Sequence, residues 1–187
     1  MADHTIQEQF ELVDRFSTDE TEYYGPYNTL LNDLFPHSEQ FQVVPHYKGP
    51  VAPRSVDFTT MYTVRKRKCP VIFIEIKPFV HLGGISTREK ADQQMCDRFT
   101  SIIGRNELYG ISTMGSRFSV YAYTRETNIL PPSIARDPMF VTDVAPAGQW
   151  NYDLLEENGE LKMKALVASI KEMCAEITEC SSTSYIF

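Results

Sequence analysis

The sequence predicts an α/β (α+β) domain with a mixed central β-sheet flanked by helices, and three observations lead there. Stretches 55–64 and 71–77 are β-branched and aromatic throughout, which suits buried strands. Around them, 17–36 and 86–104 carry apolar residues at three- and four-residue intervals, the period of a helix. Two further strand-like runs, 108–113 and 117–124, follow with a glycine-containing turn between them.

Each element has its own local reason. Residues 1–16 are weakly amphipathic and suit a short helix or a loose arm. In STDETEYYGPYNTLLNDLFP, Ser17 and Glu20 have capping-box spacing, while Tyr23, Tyr27, Leu30, Leu31 and Leu34 form the apolar stripe. Pro26 kinks or restarts that helix and Pro36 ends it. FQVVPHY (41–47) is an edge or irregular strand because Pro45 lacks an N–H. The basic run Arg65–Lys68 connects strands 55–64 and 71–77 as a hairpin turn. Ser86 and Glu89 then cap a helix whose stripe is Ala91, Met95, Phe99 and Ile102 and whose stop is Gly104.

Met114, Gly115 and Ser116 join the last two strands. Segment 126–148 is proline-containing and aperiodic, a long ordered connection. A turn at Glu157–Gly159 leads into a closing amphipathic helix through Leu166, Val167, Ile170, Met173, Cys174 and Ile177, and a frayed tail follows. The expected order is helix, three strands, helix, two strands, extended region, helix.

Length and charge narrow the function. With 187 residues the chain fits one domain. A net charge of −7 argues against a passive nucleic-acid coat protein, which needs a basic surface. No apolar run is long enough to span a membrane, and the acidic start lacks a secretory pattern. Cys69, Cys96, Cys174 and Cys180 have no metal-type spacing and read as free thiols. The expectation is an intracellular protein, in cytoplasm or nucleus, with no membrane partner.

Chemistry concentrates in VIFIEIKP, 71–78. Alternation along a strand puts Glu75 and Lys77 on one face with Val71 and Phe73, and Ile72, Ile74 and Ile76 on the core face. Opposite charges on so apolar a strand are costly unless they are paired or hold a metal. Asp57 is the only charge between Ser55 and Val64, and the hairpin would bring it near Glu75 and Lys77. Two close carboxylates repel unless a cation neutralises them, and magnesium takes one or two carboxylates with water and phosphate. The competing account is an ordinary Glu–Lys pair at the surface.

An Asp on a hairpin, then E-x-K on the next strand, then a helix, within an αβββαβ order, resembles the PD-(D/E)XK nuclease superfamily. More loosely, YYGPYNTLLNDLFP, DFTT, IEIKP, ADQQMCDRF and LYGIS together are similar to proteins present in multiple copies in basidiomycete fungi. The resemblance covers about residues 18–124, with 125–187 a C-terminal extension of the same single domain. Val56 stands where the superfamily's proline would precede the Asp.

The resemblance implies a restriction-endonuclease-like core and a nuclease using Mg²⁺ or Mn²⁺. Asp57 and Glu75 match the metal-binding carboxylates and Lys77 the catalytic lysine. A further metal ligand on the first helix falls to Glu22, with Glu20 its rival. A catalytic glutamine on the following helix falls to Gln94 in preference to Gln93. Arg98, Arg88 and Lys66 are candidates for contacting nucleic acid, DNA or RNA, and a homodimer would let two copies cut two strands. His46 and His81 lie close enough in sequence to approach the site, and Tyr23, Tyr24 and Tyr27 either stack bases or pack in the core. The rival functions are a catalytically silent fold that binds nucleic acid or a protein, and an adaptor using its sheet edge.

Overall fold

A computed structural model describes residues 4–48, 59–101 and 107–175, apart from the side chains of 46–48 and 59–60. The elements are α1 (His4–Glu11), α2 (Tyr24–Leu34), β1 (Phe41–Lys48), β2 (Thr59–Lys66), β3 (Cys69–Lys77), α3 (Ile85–Ser101), β4 (Glu107–Met114), β5 (Arg117–Thr124), β6 (Asn128–Leu130), β7 (Tyr152–Asp153) and α4 (Glu157–Ala175). They form one sheet in the order β1-β2-β3-β4-β5-β6, with β7 also pairing β5. β3 and β4 run parallel, joined through α3, and every other pair is antiparallel. The mixed sheet with flanking helices is the expected class.

Helices cover the two faces unequally. Ile72, Ile74, Ile76, Tyr62, Val64, Ile111 and Phe118 pack with residues of α1, α2 and α4 in one large apolar cluster. On the other face Met61, Phe73, Leu108 and Tyr121 meet Met95 and Phe99 of α3. Gly110 of β4 permits this close approach, because a Cβ there would fall 2.7 Å from Met95 and 2.9 Å from Phe73.

The hairpin forms as expected, but its turn is shorter. Arg65 and Lys66 belong to β2, and Arg67 and Lys68 alone make the turn, at φ of 50° and 69°. Two consecutive positive φ values match the right-handed strand twist, as in type I′ turns. Val64 pairs with Ile72 while Arg65 pairs with Pro70, so Val71 is an extra residue in β3. That bulge puts Val71 in the same cluster as Ile72, instead of on the Glu75 face where unbroken alternation placed it.

Other local expectations are corrected too. Residues Glu20–Tyr23 are a 3-10 helix capped by Asp19, whose carboxylate accepts the Thr21 N–H, so Ser17 is not the cap. Tyr23 and Tyr27 are core residues, and Tyr24 donates its hydroxyl proton to Glu20. α3 starts at Ile85, with the Arg88 N–H donating to the Gly84 carbonyl, so Gly84 rather than Ser86 leads in the helix.

Glu157–Gly159 opens α4 instead of forming a turn. Gly159 is required there because a Cβ would overlap the Asp153 carbonyl. Cys96 and Cys174 form no disulfide, but Cys69 is disulfide-bonded, which corrects the expectation of four free thiols. The cysteines therefore no longer support a reducing compartment. Among the described residues no helix is long and apolar enough to cross a membrane. Ile102, Gly104, Cys180 and the tail lie outside the described residues.

Candidate active site

β3 is buried along its whole length, flanked by β2 and β4 and covered on both faces. Glu75 is therefore only 1% exposed and Lys77 9%. The backbone holds this end of the strand from two sides. Glu75 stands opposite Met61 of β2 and alongside Ser112 of β4, and the Thr113 hydroxyl donates to the Glu75 carbonyl at 3.3 Å. Gly115, in the β4–β5 turn at φ 66°, donates its N–H to the Lys77 carbonyl at 2.9 Å.

The carboxylate of Glu75 faces α3. Arg98 Nε donates to its Oε1 at 2.7 Å, while its Oε2 is buried with no hydrogen-bond partner among the described residues. A buried charged oxygen left unpaired is costly, and a guanidinium able to take both oxygens in a fork takes only one here. One helical turn before Arg98, Gln94 shares its face of α3, and Gln94 Oε1 is likewise buried without a partner. Gln93 points to solvent and donates to Asp97.

Lys77 has a different partner. Its ammonium lies 3.6 Å from Glu20 Oε2, on the 3-10 helix that precedes α2. Glu22 instead accepts the Asp14 N–H at 3.4 Å. A 3-10 helix turns every three residues, so α-helical spacing misjudges which acid faces inward. The expected metal ligand Glu22 thus gives way to Glu20 as the acid beside Lys77. Two carboxylates and two cations, Glu75 with Arg98 and Glu20 with Lys77, form two pairs at one end of β3.

The remaining candidates divide. Asp57 lies outside the described residues, four positions before Met61, the partner of Glu75. Arg88 is engaged within the fold. It is buried, and it donates to the Ala145 carbonyl, the Leu82 carbonyl and Asp143, pinning 143–145 to α3. Lys66 lies away from Glu75, since it pairs with Cys69 at the hairpin end, six residues along β3 or about 20 Å. There its ammonium stands 4.7 Å over the Phe41 ring. Backbone pairing sets His46 against Met61. His81 belongs to the 3-10 helix Phe79–Gly83, where its carbonyl accepts from Thr87.

Sequence reasoning missed a polar network on the same face of the sheet. Tyr121 donates to Asp92 at 2.8 Å, and Gln149 donates to both, while Trp150 Nε1 donates to Ser112 at 3.2 Å. Burial, reinforced by the adjacent Asp92, pushes the Tyr121 phenol well above the usual tyrosine range. No local pattern signals this network, because its members come from α3, β4, β5 and the loop after β6.

No family model, curated protein or solved structure matches the chain. Among the described residues no group of three His, Cys, Asp or Glu side chains is placed to hold a metal ion. Glu75 offers a buried oxygen with no partner and Gln94 an amide oxygen in the same condition, both hard donors suited to Mg²⁺ or Mn²⁺.

Proposed function

We propose that the chain is a metal-dependent nuclease of the PD-(D/E)XK type, hydrolysing phosphodiester bonds through Glu75, Lys77 and Asp57. The observation that carries this reading is Glu75 Oε2, a buried carboxylate oxygen with no hydrogen-bond partner among the described residues, on a strand whose next inward residue is a lysine. Supporting it, the order α2-β1-β2-β3-α3-β4-β5 with parallel β3 and β4 agrees with the restriction-endonuclease-like core that the resemblance implies.

Each residue has a role its surroundings favour. Glu75 and Asp57 would hold Mg²⁺ or Mn²⁺, which when bound polarises a phosphoryl oxygen and acidifies a water. Lys77, with its stem along the buried strand, presents a compact ammonium that orients the attacking water and stabilises charge growing on the phosphate. Gln94 would orient the same water through its unpaired amide oxygen. Arg98 lies beside the site and would meet a phosphate once released from Glu75.

A second reading, a silent nuclease fold that binds nucleic acid or a protein, is favoured by one observation. Arg98 already occupies the Glu75 oxygen that a metal would share. Cleavage of plasmid, single-stranded DNA and RNA with Mg²⁺ or Mn²⁺ separates the two. Lys77→Ala and Lys77→Arg should retain a metal-induced rise in melting temperature and lose roughly a hundredfold or more in rate. Wild type that binds metal but cleaves nothing would hand the case to the silent module. A melting temperature unmoved by metal would end the metal reading.

A further inference from the structure

Resting on that reading, we infer that Arg98 is a built-in counter-ion that competes with the metal for Glu75, so that its guanidinium, not only the carboxylates, sets metal affinity. Three observations carry this. Arg98 Nε and Glu75 Oε1 are 2.7 Å apart, with side chains 14% and 2% exposed, so the pair is largely out of water. A guanidinium is planar and weakly hydrated, which suits it to a pair held largely out of water. The bond uses a single oxygen and leaves Oε2 unpaired, so the arginine neutralises Glu75 without satisfying it.

Electrostatic repulsion drives the competition. Among the described residues Glu75 is paired with Arg98, and Glu20 with Lys77. Bringing a divalent cation to Glu75 sets it against a fixed guanidinium in a poorly screened setting, which like charges oppose. Arg98 stands near the end of a 17-residue helix on a long, multiply rotatable side chain, so it can turn away while the backbone stays in place. Lys77 by contrast is held on its strand and paired with Glu20, and so remains when Arg98 moves. The site thereby exchanges one cation for another, and the released arginine becomes available to an anionic substrate.

Isothermal titration of the full chain with Mn²⁺ tests this, using wild type, Arg98→Met and Arg98→Lys. The expected result is that Arg98→Met binds Mn²⁺ about tenfold or more tighter than wild type, the scale on which one nearby charge shifts an equilibrium. Arg98→Lys, which retains the charge, should stay near wild type. Without metal Arg98→Met should melt below wild type, and Mn²⁺ should raise its melting temperature by more. Should Arg98→Met fail to fold, Arg98→Gln carries the same measurement. Equal or weaker Mn²⁺ binding in the neutral variant, or equally tight binding by Arg98→Lys, would overturn the inference while leaving the metal reading in place. Absence of Mn²⁺ binding in wild type and neutral variant alike would defeat the metal reading itself.

Discussion

On the face of the sheet covered by α1, α2 and α4, β2 and β3 present Tyr62, Val64, Val71, Ile72, Ile74 and Ile76, all buried in one apolar cluster. On the face covered by α3, the same two strands bury Met61 and Phe73 but also Thr63, Glu75 and Lys77, and their neighbours β4 and β5 add Ser112 and Ser119. The two faces share a backbone and a similar degree of burial, so the difference lies in what burial does for each. Apolar burial stabilises in proportion to area, about 25 cal/mol per Å². Burying Glu75 and Arg98 costs desolvation that a single hydrogen bond only partly offsets. One face holds the fold together, and the other carries groups that stability alone would not select.

Truncation should separate the faces most sharply. Ile74→Ala, on the apolar face, is expected to lose about 2–5 kcal/mol in urea unfolding, since a well-packed site collapses only in part. The paired substitution Glu75→Leu with Arg98→Met should instead leave stability unchanged or raise it by about 1–4 kcal/mol, while abolishing any Mn²⁺ response. A large loss of stability in the double variant would mean that the charged pair is structural and the contrast between faces false.

Alkaline pH offers a milder test on the polar face. An unfolded tyrosine ionises near its ordinary value of 10.0, whereas folded Tyr121 keeps its proton to higher pH because it is buried against Asp92. Its contribution is fully present below that value and is lost as pH rises from there toward the folded pKa. Stability should therefore fall above about pH 10, and the fall should be shallower in Tyr121→Phe, followed by denaturation across pH 8–11. Identical slopes in the two proteins would remove Tyr121 from the account.

The smallest effect is expected at the hairpin. Arg67 and Lys68 adopt positive φ, which asparagine and glycine tolerate far better. Arg67→Asn with Lys68→Gly should stabilise by about 0.5–1 kcal/mol in thermal melts and leave Mn²⁺ binding untouched, since the turn is remote from Glu75. A change in metal affinity would show that the turn communicates with the site.

The contrast between faces was largely legible in the sequence, because strand alternation sorts Ile72, Ile74 and Ile76 from Phe73, Glu75 and Lys77 without any knowledge of the fold. The element order was legible for a similar reason, since each long element has its own period. What escaped depends on one-residue shifts or distant partners. The Val71 bulge moves a side chain across the sheet without a compositional mark. The 3-10 turn at Glu20–Tyr23 changes the angular step, which is why Glu20 and not Glu22 meets Lys77. Arg88 looked like a phosphate contact because its carbonyl and Asp143 partners lie in an aperiodic loop. The short strands β6 and β7 are only three and two residues long, too brief to show a period.

Gly115 ties several of these parts together. It donates to the Lys77 carbonyl, accepts the Tyr27 hydroxyl at 2.7 Å, and leaves so little room that a Cβ would come within 2.8 Å of Phe79 and 3.1 Å of the Tyr23 hydroxyl. Tyr23 closes the 3-10 helix that carries Glu20, the partner of Lys77. A methyl group added at an apparently remote turn would thus press on Tyr23 and, through that helix, on the spacing between an acid and an amine several residues away. The turn works as a gauge block: its lack of a side chain fixes how closely the helical layer seats on the strand ends. Variation in this chain's chemistry can therefore arise from a position that carries no functional group at all.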